Sequence, residues 1–169
     1  MKQSVLGIDV SKDTLDVVLL MNEEKQHQVF KNSRVGFSHL QNWLVGRRAG
    51  LAHVCLEATG QYGDGISEYL YQQGYPVSVV NPTRIKRYGE SKLHRNKTDK
   101  ADALLIAEFC VREEVNLWAP LPVPVKKLRD LVRRLSQLQG MYRQEYNRLL
   151  SGINDSWVLN SIQTTLALL

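Results

Sequence analysis

The sequence predicts an α/β fold, in which a mixed β-sheet is flanked by helices and followed by a long helix of the coiled-coil type. Three patterns support this prediction. Short aliphatic segments separated by polar turns occupy residues 4–30, strand-like and helix-like spacing then alternates to about residue 113, and leucines recur in steps of three and four after a proline-rich segment. A strand meander followed by strand–helix alternation is typical of a mixed sheet with helices on its faces.

The N-terminal segment is predicted to form an antiparallel meander. Residues 4–20 contain two strands around the polar turn Ser11-Lys12-Asp13, and a third strand near Gln26–Phe30 follows the polar residues 22–25. Short turns of this kind join antiparallel neighbours, because parallel neighbours need a longer crossover.

Beyond the meander, the spacing of apolar residues alternates between the helix and strand periods. The predicted elements are a helix over Gly36–Arg47, a strand over Ala52–Leu56, a helix around Ile66, Tyr69 and Leu70 that Gly74 closes, a strand over Pro76–Val80 that Asn81-Pro82 stops, and a helix from about Thr98 to Glu113. The resulting order, βββ-α-β-α-β-α, is that of the ribonuclease H fold. Several α/β folds share parts of this order, so the functional residues must carry the assignment.

Residues 1–119 are therefore predicted to form one domain. Pro120, Pro122 and Pro124 predict a stiff hinge over residues 120–125. Residues 126–169 follow with a long amphipathic helix that could pair in a coiled coil or pack back on its own domain, and both alternatives stay open. The apolar residues of the last stretch, Ser151–Leu169, have no clear partner, so we expect a further C-terminal domain that this chain lacks.

The net charge of +5 is concentrated in one segment. Thr83–Lys100 holds seven basic and two acidic residues, and its excess (seven minus two) equals that of the whole chain. Concentrated positive charge attracts polyphosphate, although a solvated basic loop would have the same composition. The candidate nucleic-acid-binding residues are Lys12 in the first turn and Arg84, Lys86, Arg87, Lys92, His94, Arg95, Lys97 and Lys100.

Cysteine usage and hydropathy exclude several classes of protein. Cys55 and Cys110 lie in apolar segments without Cys-x-x-Cys spacing, so they are predicted to be buried thiols rather than part of a disulfide framework or zinc ribbon. The longest apolar run, Val17–Met21, is far shorter than a membrane span, and no apolar signal region precedes the first strand. We therefore expect a cytoplasmic chain with no membrane partner.

Four acidic residues are candidates for a metal site. Asp9 interrupts the apolar first strand and Glu57 follows a buried strand, and such carboxylates need a cation or a donor. Asp99 and Asp102 lie three apart and share one face of a predicted helix. Clustered carboxylates suit Mg²⁺, and two such ions can support phosphodiester chemistry. Taken singly, each acid has another explanation: Asp9 could cap a turn, and the helical pair could favour a helix N-terminus.

Three separated blocks around these acids resemble a known family. Gly7–Lys12 (GIDVSK), Leu56–Gly60 (LEATG) and Asn96–Ala103 (NKTDKADA) look like the corresponding blocks of the DEDD transposases of insertion sequences, relatives of the Piv/MooV DNA invertases. The resemblance covers about residues 4–150. It implies a RuvC-like nuclease domain over residues 1–119 whose four catalytic acids, Asp9, Glu57, Asp99 and Asp102, hold Mg²⁺ or Mn²⁺.

The same resemblance implies partners and an activity. Members of the family recombine DNA, one branch is guided by a structured RNA, and a coiled coil after the first domain is consistent with a homo-oligomer. Family members then carry a C-terminal domain with a serine that works beside the acids. This chain ends at Leu169, so we assign no residue to that role and expect no autonomous recombination.

Three functions remain open on the sequence. The first is the catalytic domain of a DNA recombinase. The second is a non-catalytic nucleic-acid-binding and dimerisation module, which needs the basic segment and long helix but no metal. The third is a sugar-kinase-like or actin-like ATPase domain, whose fold also begins with a Gly-x-Asp strand; here Val10-Ser11-Lys12 replaces the glycine-rich turn that would wrap a phosphate.

Overall fold

The computed structural model describes residues 4–22, 24–58, 60–91 and 98–169. It divides into two compact units, Met1–Pro120 and Leu121–Leu169. The elements of the first unit are β1 (Val5–Val10), β2 (Thr14–Met21), β3 (Glu24–Lys31), α1 (Arg34–Gly46), β4 (His53–Glu57), α2 (Asp64–Gln72), β5 (Val77–Val80), α3 (Pro82–Ser91) and α4 (Asp99–Arg112), and those of the second are α5 (Val123–Leu150) and α6 (Ser156–Leu168).

The first unit is built on a five-stranded mixed sheet in the order β3-β2-β1-β4-β5. The three N-terminal strands pair antiparallel, as predicted, because tight turns join them. β4 and β5 are added parallel to β1, each reached through a helical crossover. The sequence prediction of a mixed sheet flanked by helices is thus confirmed, and the carboxyl ends of β1, β4 and β5 share one edge.

Alternation along the strands divides the core into two layers. Leu6 and Ile8 of β1 belong to the larger cluster, which includes the apolar faces of α1 and α2. Val5 of β1 and Cys55 of β4 point to the opposite face and pack with α3 and α4. Odd-numbered residues of β1 therefore face α4, which places Gly7 and Asp9 beneath that helix.

α4 lies against β1 almost without intervening side chains. A Cβ added to Gly7 would stand 2.3 Å from the carbonyl oxygen of Ala103 and 2.5 Å from the amide nitrogen of Ala107. Only glycine allows a helix backbone to approach a strand this closely. The helix runs antiparallel to β1, since its N-terminal turn lies near Asp9 and its C-terminal turn borders a cavity with Val5.

The segment after β5 differs from its sequence prediction. Asn81-Pro82 was expected only to stop the strand, yet it also starts α3. The Asn81 side chain accepts a hydrogen bond from the amide of Thr83 at 2.8 Å, and Pro82 occupies the first helical position, where its missing N–H costs no hydrogen bond. The first half of the basic segment is therefore a helix, with Ile85 and Gly89 buried. Lys92, His94, Arg95 and Lys97 lie outside the described residues.

The second unit is a pair of helices that contact each other. α5 has 28 residues and begins at Val123, so Pro124 stands in its first turn rather than in an extended hinge. Leu128, Leu131 and Leu135 are exposed along it. The stretch after Ser151, which had no predicted element, forms α6, capped by Asp155 through the amides of Trp157 and Val158. Within the described ranges, no helix has the length and apolarity needed to cross a membrane.

Candidate functional site

The four acids singled out in the sequence, Asp9, Glu57, Asp99 and Asp102, are called the acidic quartet below. Two of them stand at the carboxyl ends of neighbouring strands. Ile8 of β1 pairs with Leu56 of β4 in parallel register, so Asp9 and Glu57 are next to each other across the strands. Both residues are half-buried, and both occupy the positions that face α4.

The other two acids stand in the first turn of α4. Thr98 caps this helix: its hydroxyl accepts a hydrogen bond from the amide of Ala101 at 3.2 Å, and its carbonyl accepts one from Asp102. Asp99 is exposed and Asp102 is half-buried. Since α4 runs antiparallel to β1, its N-terminal turn carries both carboxylates back over the ends of the strands.

Electrostatics show that the acidic quartet is one cluster. The pKa of Asp9 is raised from its ordinary value of 3.8 to about 6, first by burial and then by the negative charges of Asp102, Asp99 and Glu57, with a smaller contribution from Asp16. All three predicted companions therefore act on Asp9. Asp16 itself is bound to another group, because its carboxylate contacts His27 Nε2 at 2.8 Å.

The acidic quartet lines a single cavity of about 700 Å³ between the strand ends, α3 and the start of α4. No three His, Cys, Asp or Glu side chains in the described segments are already gathered around a single ion position. The carboxylates thus line one cavity and their charges act on one another. Their side chains would have to rotate to bind a single cation together. Four carboxylates that line one cavity are a set of oxygen donors that suits a hard divalent ion.

α3 contributes residues to this cavity that sequence reasoning assigned differently or missed. Lys86, a predicted phosphate-binding residue, lines the cavity and is paired at 4.0 Å with Glu90, a fifth acid that lines the same cavity. Glu90 was counted only as part of the charge balance. The period of α3 places positions 86, 89 and 90 on one face, but this signal could be used only after the helix itself had been recognised.

The predicted nucleic-acid-binding residues fall into three groups. Arg84 contacts other residues of the first unit: it donates a hydrogen bond to the carbonyl of Glu114 at 3.2 Å, and its guanidinium lies 5.2 Å from the centre of the Phe109 ring. Lys12, Lys86, Arg87 and Lys100 are exposed. Lys12 lies in the turn that follows β1 and Lys100 follows Asp99, so both are close in sequence to the acidic quartet. The remaining four predicted contacts are in the undescribed segment 92–97.

Comparison with known proteins identifies the family to which this chain is similar. The family model of DEDD transposases of the IS110 type, described as a transposase, matches residues 6–157. Pilin gene-inverting proteins of Moraxella bovis and Moraxella lacunata are each 32% identical over 136 residues, covering 79% of this chain and 42% of the relative. The chain thus spans less than half the length of these curated relatives.

Among solved structures, T. thermophilus RuvC in complex with a Holliday junction substrate matches with a TM-score of 0.50 and 16% identity, covering 69% of this chain and 99% of that one. Identity this low concerns the fold alone, and the five-stranded mixed sheet with its flanking helices is the RuvC-like form of the ribonuclease H fold. With a family match over residues 6–157 and relatives 32% identical over 79% of its length, the chain belongs to the DEDD transposase family, whose members are recombinases with a RuvC-like nuclease fold.

Proposed function

We propose that this chain is the catalytic domain of a DNA transposase, in which the acidic quartet binds Mg²⁺ or Mn²⁺ for cleavage and exchange of DNA strands. The observation that carries the proposal is the convergence of four carboxylates from β1, β4 and α4 on one cavity, where burial and then the charges of the other three raise the pKa of Asp9 to about 6. Like charges held this close are unfavourable unless a cation is bound.

The protein's own groups prepare the cavity for that ion. Asp9 must be ionised to act as a metal ligand. In the metal-free protein its carboxylate form predominates only above the raised pKa of about 6. At lower pH, a binding ion must displace the proton of Asp9. Once bound, divalent ions can activate a nucleophile and stabilise the leaving oxygen of a phosphodiester. Lys86, which also lines the cavity, supplies a positive charge that can contact a phosphate oxygen entering it.

The DNA backbone is proposed to run along the edge that carries these exposed cations. Lys86 lines the acidic cavity, Lys12 and Lys100 are close in sequence to the acidic quartet, and Arg87 is exposed on α3 next to Lys86. These cations would hold phosphates beside the cavity, and the acidic quartet would hold the ions that supply the phosphodiester chemistry. A structured guide RNA is a second proposed partner of the same surface, since lysine and arginine bind the phosphates of both polymers.

The whole recombination reaction is proposed for a chain of the relatives' length. These relatives extend well beyond the 42% that this chain matches. For the residues described here the proposal is metal binding and phosphate binding, with self-association through α5. That association rests on the exposed leucines of α5, which recur at the spacing of a coiled-coil seam.

Calorimetric titration with Mn²⁺ and Mg²⁺ tests the metal site. The double variant Asp9→Asn plus Asp102→Asn removes one ligand from the sheet and one from the helix, and we expect it to abolish the binding heat. A matched double variant, Asp13→Asn plus Glu113→Gln, removes two exposed carboxylates outside the cavity and should bind like the parent. Equal ion affinity in the parent and the quartet variant would refute the proposal.

A non-catalytic nucleic-acid-binding and dimerisation module is the second candidate. The exposed cations of α3 and the exposed leucines of α5 favour it, because neither feature needs a metal. The two candidates differ in one measurement: DNA affinity in the presence of EDTA and of Mn²⁺. The catalytic proposal expects ions to strengthen binding in the parent and not in the quartet variant, whereas the module expects no ion dependence in either.

A further inference from the structure

A second cluster of reactive groups lies at the other end of α4. Cys110, in the last turn of the helix, and Cys55, on β4, are both buried and belong to the same packed cluster. Cys110 also contacts His53 Nδ1, with 3.6 Å between sulfur and nitrogen. None of these three residues belongs to the acidic quartet, and none is used by the proposed reaction.

The hydrogen bonds around His53 fix its tautomer. Ser78 Oγ lies 2.9 Å from the carbonyl oxygen of Asn116, which can only accept, so the single hydroxyl hydrogen is donated there. The contact of 2.9 Å between Ser78 Oγ and His53 Nε2 must then have Nε2–H as its donor. Nδ1 consequently carries the lone pair, and it faces the sulfur of Cys110. The imidazole is therefore placed to take the proton of this thiol, while Ser78 orients the ring.

Of the two thiols, Cys110 is the one that contacts the imidazole of His53. The pKa of Cys110 is lowered to about 6, chiefly by the hydrogen bond donated by Cys55 and also by His53, against the opposing effect of burial. Cys110 is 7% exposed, and with His53 it lines a cavity of about 630 Å³. The cavity is bordered by Lys25 and Glu108, which form an ion pair of 2.8 Å, and by Arg112. Cys110 thus stands at the edge of a cavity large enough for a small polar molecule.

We propose that Cys110 is an oxidation site for small hydroperoxides and that Cys55 resolves the oxidised residue into an intrachain disulfide. The proposal is independent of the metal site and of the transposase function. It rests on three features of the described residues: a thiol facing the free nitrogen of an oriented imidazole, a second buried thiol in the same packed cluster, and a cavity that Cys110 lines. Disulfides in reducing compartments are usually transient and redox-sensing, which is the behaviour expected here.

The reaction balances with one hydroperoxide, ROOH, as oxidant. Cys110 gives its proton to His53 Nδ1, and the thiolate attacks the terminal oxygen of the peroxide; the S–O bond forms, the O–O bond breaks, and the alkoxide leaves as ROH with the proton from His53. The sulfur of Cys55 then attacks that of Cys110. The S–S bond forms, hydroxide leaves, and the proton of the Cys55 thiol converts it to water. The two thiols are oxidised together by two electrons, and the peroxide is reduced.

Hydrogen peroxide added to the fully reduced 169-residue chain tests the proposal. Peptide mapping should show Cys55 joined to Cys110, and dithiothreitol should reverse the bond. In Cys55→Ala, Cys110 should stop at the sulfenic acid and react with dimedone. In Cys110→Ala, Cys55 should stay reduced, because its thiol lacks the imidazole contact. His53→Gln should slow oxidation about tenfold or more through loss of the thiolate, while His39→Gln, an exposed histidine on α1, should leave the rate unchanged.

Two outcomes would overturn the inference. One is a parent protein whose thiols resist peroxide as well as those of the His53→Gln variant. The other is oxidation of Cys55 at the parent rate in Cys110→Ala, which would make the assigned order of attack wrong. Since both thiols are buried, each variant is first compared with the parent by thermal unfolding; if an alanine variant unfolds, Cys110→Ser and Cys55→Ser replace it, because serine keeps the size of the side chain. Serine is inert to peroxide, so the same two outcomes apply.

Discussion

Replacement of Asp9 by asparagine should stabilise the folded protein at neutral pH in the absence of divalent ions. The pKa of Asp9 is about 6 in the folded state against 3.8 ordinarily, so the folded state binds its proton more tightly than the unfolded chain does. The carboxyl group is therefore neutral in both states below about pH 3.8, and its ionisation destabilises the fold progressively between that pH and 6. Above pH 6 the destabilisation is complete.

The size of the effect follows from the same values. At full strength the shift corresponds to about 3 kcal/mol, and because Asp9 is only half-buried, solvent screening reduces it to roughly 1.5 kcal/mol. Asp9→Asn should then raise the unfolding midpoint at pH 7 by about 3–6 °C for a unit of this size. At pH 4 the variant and the parent should unfold at nearly the same temperature. Asp13→Asn, in the exposed turn after β1, is the matched control and should show neither difference.

Divalent ions should make the parent protein more stable than the Asp9→Asn variant, the reverse of the order expected without ions. Mn²⁺ binds the folded parent and stabilises it by mass action, whereas Asp9→Asn lacks a ligand and gains little. Differential scanning fluorimetry at pH 4 and pH 7, with EDTA or with Mn²⁺, measures all of these shifts in one experiment. The reasoning would be refuted if Asp9→Asn lowered the midpoint in EDTA at pH 7, or if its effect were equal at the two pH values, because the carboxylates would then not repel one another.

Three further predictions concern packing, DNA binding and association. Gly7→Ala should destabilise the fold by about 1–3 kcal/mol in denaturant unfolding, since the new methyl group meets the backbone of α4, while Gly46→Ala, with no atom within 4 Å, should not. Arg87→Glu should weaken DNA binding severalfold and lower the slope of log affinity against log salt by about 1 in fluorescence anisotropy, and Arg34→Glu, on exposed α1, should change neither. Leu135→Glu should shift the mass measured by light scattering towards the monomer; unchanged mass would show that α5 does not mediate self-association.

The sequence predicted the sheet well because its signal is local. Strand-length apolar segments define β1, β2, β4 and β5 without reference to the rest of the chain, whereas β3 is mostly polar and was predicted from its place after a polar turn. Gly74, with a φ of +84° directly after the C-cap Gln73, ends α2 as predicted. α3 was missed because Asn81-Pro82 has two meanings. The pair ends a strand and also supplies the cap and first residue of a helix, and only the second meaning accounts for the buried Ile85.

Features that join distant segments could not be predicted in the same way. The acidic quartet was recovered because strand ends meet at one edge of a sheet, a rule of topology rather than of local sequence. No such rule links Arg84 to the ring of Phe109, and this contact could not be predicted from the sequence. Likewise, Cys110 and His53 are 57 positions apart. Burial of both cysteines was predicted correctly, and their contact was not.

The close approach of α4 to β1 has a mechanical consequence. The backbone-to-backbone contact at Gly7 lies opposite Ala103 and Ala107, between the carboxylates at one end of the helix and Cys110 at the other. About 12 Å of helix separates Asp102 from Cys110. Because the backbones already touch between these two residues, a tilt of α4 would turn about this contact and would move the two ends of the helix in opposite directions. A disulfide between Cys55 and Cys110 would restrict that tilt. It would thereby limit how far Asp99 and Asp102 can move away from Asp9 and Glu57.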